Sequence, residues 1–323
     1  MPDNNAFTAP HFASHELARG WLEKQRWPDG PVCSHCGSIN RAYRNKAKPG
    51  FYRCAEPECR KDFTVTTGTL MERSHIPLNK WLMAFYLMAS SKKGVSAHQL
   101  HRSLNVTYKA AWFMCHRIRE AMRDGGMDVP GGSGPLGGSG KIVEADETYF
   151  GPTDEPRERK TPRYGTKPTK GGRSGPANKR AIVSLVERGG NVRSFHVAVA
   201  DKETVQRIVV ENIAQESRLH TDESRLYSGA DLHFAAHETV KHSAKEYARG
   251  DVHTNSAEGY FSIFKRGMKG VYQHCKEKHL HRYLAEYDFR YNHRVALGFS
   301  DIDRTKAAIA RIGGKRLTYH QTH

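Results

Sequence analysis

The chain has 323 residues, enough for two or three domains that each bury a core. Lys and Arg outnumber Asp and Glu by 51 to 34, a formal charge of +17, and counterion release then favours a polyanionic partner, nucleic acid before membrane surface. No apolar run approaches the roughly 20 residues that span a bilayer. The polar start, with Asp3 and Glu16, lacks the apolar stretch of a secretion signal, so the expectation is a soluble cytoplasmic protein without a membrane partner.

The first predicted module, residues 11–74, is built around Cys33-x2-Cys36 and Cys54-x4-Cys59, with 17 residues between the pairs. Two tight turns at such spacing deliver four thiolates to one structural Zn2+. Cys115 and Cys275 lie in amphipathic, helical surroundings, so a metal site fits better than a disulfide set. Ala42-Tyr43-Arg44 and Phe51-Tyr52-Arg53 read as short strands, which makes the module a zinc ribbon. The metal replaces a core that so short a segment cannot build, whether or not the module also touches DNA.

Residues 75–124 read as helices. Pro77 opens a run of helix formers to Ser90, and Ala97–Leu104 and Tyr108–Met122 flank a break at Asn105-Val106-Thr107, with Thr107 as the second helix's N-cap. This resembles a helix-turn-helix whose second helix carries Lys109, His116, Arg117 and Arg119; Lys109 and Arg117 are its candidate DNA contacts. A packed helical pair with Trp112, Phe113 and Ile118 as core is the plain alternative.

The Gly-rich stretch 125–140 reads as a loose connector and a domain boundary. Beyond it, Lys141–Asp146, Ala181–Val186 and Val192–Val199 read as strands, Asp201–Gln215 as a helix and Arg218–Thr221 as a strand. Three strands, a helix and a strand open a ribonuclease-H-like domain, an α/β class with a mixed sheet and flanking helices, set at 141–298. The stretch 151–180, with nine Lys or Arg against three acids, reads as an exposed basic insertion that either clamps DNA or is merely solvated. Leu232–Ala236 is the predicted fifth strand, and 299–323 a C-terminal helix and tail; His320–His323 suggest no role.

In such a sheet Asp146, near the end of the first strand, and Asp222, just after the fourth, face one site. Asn255 and Glu258 follow on a helix set at Thr254–Val271. At about 100° per residue Phe261, Phe264, Met268 and Val271 share one side, while Glu258, Lys265 and Asn255 share another. Carboxylates are the ligands a hard Mg2+ or Mn2+ takes, and paired ions can clamp the attacking and leaving oxygens of a phosphoryl transfer. A lysine two turns beyond the acid can hold the phosphate without competing for metal.

These residues carry a resemblance. His253-Thr254-Asn255-x2-Glu258-Gly259-x-Phe261-Ser262-x2-Lys265-Arg266-Gly267 and His279-Leu280-x2-Tyr283-Leu284-x-Glu286-x2-Phe289-Arg290-Tyr291-Asn292-x-Arg294 resemble the ISXO-two-like insertion-sequence transposases of the DDE superfamily. The likeness extends to Asp146-Glu147-Thr148-Tyr149-Phe150-Gly151, to Asp222-Glu223, and to the zinc ribbon with Phe63-Thr64-Val65-Thr66-Thr67-Gly68-Thr69, covering Ala18 to Arg294. It implies Asp146 and Asp222 as the first two catalytic residues and metal ligands. The third comes from Asn255 or Glu258: the family pattern favours the asparagine, whereas a carboxylate binds metal more strongly. Lys265, Arg266, Arg290 and Arg294 become candidate phosphate contacts.

The function implied is a prokaryotic, nucleoid-associated transposase. It binds its element's terminal repeats, cuts and joins DNA with Mg2+ or Mn2+, and works as a homo-oligomer that holds two ends. Two other readings stand beside it: a zinc-dependent DNA-binding protein derived from an inactive transposase, and a ribonuclease-H-like DNA nuclease. Intact Asp146, Asp222 and Glu258 weigh against the first, and the zinc ribbon against the second.

Overall fold

The computed structural model describes residues 8–123, 134–154, 178–244 and 248–318. The first part of the Gly-rich connector, the middle of the basic insertion and His320–His323 lie outside the described residues. The chain divides into two compact units, Met1–Arg123 with His293–His323, and Asp124–Asn292. The zinc ribbon and the helical segment thus share one unit, and the second unit ends at Asn292 rather than at 298. The reason is packing: helix α8 (Asp301–Ala310) lies on α2 (Leu78–Ser90), and Gly313 bridges to Thr69.

In the first unit, Ser14 caps α1 (His15–Arg26) by accepting from the Leu17 N–H at 3.2 Å. Strands β1 (Ala42–Arg44), β2 (Tyr52–Cys54) and β3 (Asp62–Phe63) pair antiparallel. Their small inner face, Tyr52 and Phe63, meets the Trp27 ring edge-on with centroids 5.4 and 5.8 Å away. Helix α2 buries Leu78, Trp81, Leu82, Phe85, Met88 and Ala89, an apolar stripe at helical spacing. Ser96 caps α3 (Ala97–Leu104) and Thr107 caps α4 (Tyr108–Met122), and Asn105 closes α3 in the left-handed region at φ 46°. The α4 core differs from expectation. Trp112 and Phe113 are only half-buried, whereas His116 and Arg119 are buried beside Ile118, so α4 presents less positive charge than its sequence suggests.

The second unit is a five-stranded mixed sheet of order β6-β5-β4-β7-β8. Strands β4 (Ile142–Pro152), β5 (Lys179–Glu187) and β6 (Val192–Val197) form an antiparallel meander. Helix α5 (Lys202–Asn212) then leads to β7 (Arg218–Asp222) and β8 (Ala236–Val240), both parallel to β4. One face packs Val143, Ala145, Val183 and Leu185 against Val205 and Val209 of α5. The other packs Ile182, Val186 and Val192 against α6 (Asn255–Gly267) and α7 (Leu280–Asn292), through Phe261, Phe264, Leu284 and Tyr287. Side chains alternate along a strand, and Glu144, Asp146 and Thr148 stand opposite Val186, Ser184 and Ile182, so these three face α6.

Three further expectations are corrected. The fifth strand is Ala236–Val240, while Ala230–Leu232 forms a 3-10 turn with Leu232 82% exposed. β8 is an edge strand whose first four residues, three of them polar, are all half-buried, which hides its period. Residues 134–140 are built into the unit instead of acting as a connector. Leu136 is buried in the α5-side core and bonds Asn212 and Ala214 at 2.8 Å each, and a Cβ on Gly137 (φ +87°) would lie 2.1 Å from the Ser217 hydroxyl. Helix α6 is regular only to Gly267; a π-turn, Met268–Tyr272, follows.

Candidate active site

Strands β4 and β7 pair in parallel at Ile142↔Arg218, Val143↔Leu219 and Glu144↔His220. That register, continued two residues, sets Asp146 level with Asp222, the last residue of β7. Both side chains are oriented locally: the Glu147 N–H donates to Asp146 Oδ1 at 2.8 Å, and the Ser224 N–H to Asp222 Oδ1 at 3.0 Å. Glu147 points to the opposite face of the strand, where the fully buried Tyr227 donates its hydroxyl to Glu147 Oε2 at 2.9 Å.

Burial, followed by the charges of Glu147, Asp222 and Glu258, pushes the Asp146 carboxyl up to about 8, against the bond from the Glu147 N–H. Burial also raises Glu147, against the hydrogen bond from Tyr227. Helix α6 contributes two groups to this field. Glu258 acts on Asp146, and Lys265, lowered by burial, is drawn the other way by Asp146. Seven residues separate Glu258 from Lys265, two helical turns, which sets them on one face. Asn255 is the exposed first residue of α6, one turn before Glu258. Asp146, Asp222 and Glu258 offer the oxygen donors that a hard divalent cation takes, whereas among the described residues only the four cysteines already gather their ligand atoms around one point.

The cysteine site is closed by comparison. The ligand sulfurs of Cys33, Cys36, Cys54 and Cys59 all lie within 4.8 Å of one another, with Cys33–Cys59 at 3.8 Å and Cys36–Cys54 at 3.6 Å. A tetrahedral Zn2+ with Zn–S of about 2.3 Å separates its sulfurs by about 3.8 Å, so the quartet fits a structural zinc.

The expected phosphate contacts divide. Lys109 is exposed on α4, and Arg266 is exposed on α6 with its Nε on the Ser262 carbonyl at 3.1 Å. Arg117 is half-buried, 4.6 Å from the Phe113 ring centroid, and donates to the Glu72 carbonyl at 3.4 Å. Arg294 is half-buried and belongs to the N-terminal unit. Arg290 requires a correction. It is buried, paired with the buried Glu286 at 2.5 Å and stacked over Tyr287 at 4.5 Å, so its charge is neutralised inside α7 and does not face phosphate.

Sequence reasoning missed Glu147, Tyr227, Glu144 and Arg188. Glu147 follows directly on Asp146, and only strand alternation places it on the other face. Glu144, two residues before Asp146, was the legible signal of a second acid on the same face.

Comparison with known proteins bears on this arrangement. The sequence profile of the ISXO2-like transposase domain matches residues 135–292, and that of the transposase zinc-ribbon domain matches 13–62. The chain is also similar to the "Uncharacterized protein in transposable element ISH50" of Halobacterium salinarum, 30% identical over 260 residues, covering 80% of this chain and 84% of the relative. The chain belongs to the ISXO2-like transposase family. Its family domain ends at Asn292, where the second unit ends, and holds Asp146, Asp222, Asn255, Glu258 and Lys265. The zinc-ribbon match encloses all four cysteines. Among the described residues no helix is long and apolar enough to cross a membrane.

Proposed function

We propose that this protein is the transposase of an insertion sequence, binding the ends of its own element and catalysing metal-dependent cleavage and strand transfer with a ribonuclease-H-like domain. The observation that carries this reading is the level placement of Asp146 and Asp222 on adjacent parallel strands, with Glu258 and Lys265 of α6 acting on Asp146. The sheet order, an antiparallel meander of three strands continued by two parallel ones, supports the ribonuclease-H-like assignment.

Asp146 and Asp222 would hold Mg2+ or Mn2+, with Glu258 as the third ligand. Glu258 is favoured over Asn255 because a carboxylate holds a hard cation more strongly than a neutral amide oxygen and its charge acts on Asp146; both residues are exposed on the first turn of α6. Bound there, the divalent cation would polarise the phosphate and lower the pKa of the attacking hydroxyl or water. Tyr227 holds Glu147 on the far face of β4 and leaves Asp146 to face α6. Lys265 would bind the scissile phosphate, and Arg266 the backbone beside it.

The N-terminal unit would recognise the element ends. Its zinc ribbon leaves Tyr43 and Arg53 exposed at paired positions of β1 and β2, and α4 leaves Lys109 exposed, groups suited to phosphate and base stacking. Joining requires two ends together, hence a homo-oligomer acting on cellular DNA, in the cytoplasm at the nucleoid. The test is cleavage of labelled end DNA in Mg2+ or Mn2+ by the wild-type chain and by Asp146→Asn. The variant should bind the ends and cut none; cutting by Asp146→Asn, or end binding without cleavage by the wild type, would refute the assignment.

A further inference from the structure

Glu144 is 0% exposed, on the face of β4 that carries Asp146. A carboxylate taken out of water is costly unless hydrogen bonds and a counter-charge replace its hydration. Glu144 has both. Its Oε2 accepts from the Ser256 N–H at 2.7 Å and the Ala257 N–H at 3.0 Å. Its Oε1 accepts from the Ser256 hydroxyl at 3.0 Å and from Arg188 Nε and Nη2 at 3.0 and 2.8 Å. Arg188 continues the clamp, its Nη1 donating to the Asp251 carbonyl at 2.7 Å and its Nη2 lying 3.1 Å from His253 Nδ1.

The first N–H groups of a helix have no partner within it, and Thr254 at the N-cap of α6 makes no side-chain capping bond. Glu144 fills that role from a neighbouring strand, and its negative charge suits the positive end of the helix. The two amides it holds immediately precede Glu258. Sliding or turning α6 on β4 therefore breaks these bonds and displaces Glu258 together.

We propose that Glu144 is a positioning residue: with Arg188 it fixes α6 so that Glu258 and Lys265 stand against Asp146. The proposal rests on the reading of Asp146, Asp222 and Glu258 as the cation-binding set. Catalytic geometry is steep in distance, a displacement of about 1 Å costing on the order of 100-fold in rate, so a small shift of α6 is enough to be read in cleavage.

The experiment uses the full-length zinc-loaded chain as wild type, Glu144→Gln and Ser256→Ala. The amide of Glu144→Gln keeps the shape of the side chain but loses its charge and turns an NH2 toward donors. Three quantities are measured: amide hydrogen exchange across residues 254–261, binding of end DNA, and the Mg2+ concentration for half-maximal cleavage. Glu144→Gln should bind DNA as wild type does, exchange faster at 256–258, and need roughly 10- to 100-fold more Mg2+, the usual consequence of losing an outer-shell partner. Ser256→Ala should move both quantities in the same direction and by less, and it decides the matter by the same criteria if Glu144→Gln does not fold. An unchanged Mg2+ requirement in the folded variant, with or without faster exchange, overturns the proposal. A wild-type chain that cleaves under no condition would sink the catalytic reading instead, and exchange at 256–258 would then decide by itself whether Glu144 holds α6.

Discussion

Asp146 is held between two opposing demands. Burial and the neighbouring acids push its carboxyl up to about 8, whereas the proposed role of cation ligand would require it to give up its proton. Because its folded pKa lies above the unfolded value of 3.8, the folded chain holds a proton there that the unfolded chain releases between about pH 4 and 8. The metal-free fold therefore loses stability as pH rises through that window. Asp146→Asn should melt several degrees above the metal-free wild type near pH 8 and show no such gain near pH 4. Mg2+ should narrow the difference by stabilising only the wild type. Melting curves at the two pH values check this, and a gain independent of pH would contradict it. At this scale the sequence was partly legible. That Asp146 and Asp222 stand level could be read from the strand order, but Asp146 lies within β4, which runs on to Pro152, and not at the strand end that the sequence suggested. Arg290 could not be read, because whether an arginine on a helix faces solvent or a buried glutamate one turn back depends on what covers the helix, and Glu286 gave no local sign of burial.

Among the elements, α6 links chemistry to packing. Phe264 is fully buried between the sheet and Tyr287, with its ring centroid 5.2 Å from that of Tyr287, so Phe264→Ala should cost about 3–5 kcal/mol and loosen the helix that carries Glu258. Denaturant unfolding measures the loss; a cost below about 1 kcal/mol would show that α6 is not anchored there. A lighter change, Thr107→Ala, removes the hydroxyl that accepts from the Ala110 N–H at 3.2 Å and should cost about 1 kcal/mol, without affecting the acid site. The bounds of α3 and α4 could be read from sequence because Ser96 and Thr107 are local signals whose hydrogen bonds reach only three residues ahead. β8 could not be read this way. Its half-buried edge position leaves no alternation, and the apolar Leu232-x-Phe234 pair drew the predicted strand four residues early. The docked segment 134–140 was hidden for a related reason: a single Leu136 among glycines carries the packing, and sequence alone does not show that its backbone bonds Asn212 and Ala214.

At the scale of the whole molecule the proposed function divides the work between the two units, and on that reading each should fail in its own way. The zinc ribbon has only a small apolar face, so the cation contributes much of its stability. Cys54→Ser should release the zinc and weaken end binding, while far-ultraviolet circular dichroism retains the signal of the sheet unit. Elemental analysis and gel shift check this, and full zinc content with normal binding would contradict it. The cysteine module and the α/β unit could be read from cysteine spacing and strand pattern, whereas the helical segment falls in the same unit as the cysteine module. The return of residues 293–323 to the N-terminal unit could not be read, because α8 packs on α2 across more than 200 residues of chain, a long-range choice without a local signature. The claim that unites the molecule is DNA joining by the Asp146–Asp222 site. Its most direct measurement is a strand-transfer assay with the purified chain, DNA carrying the element's terminal repeats, a plasmid target and Mg2+ or Mn2+, run beside Asp222→Ala. The account predicts joined products from the wild type and none from the variant, with end binding equal in both; joined products from Asp222→Ala, or none from a wild-type chain that binds the ends, would contradict it.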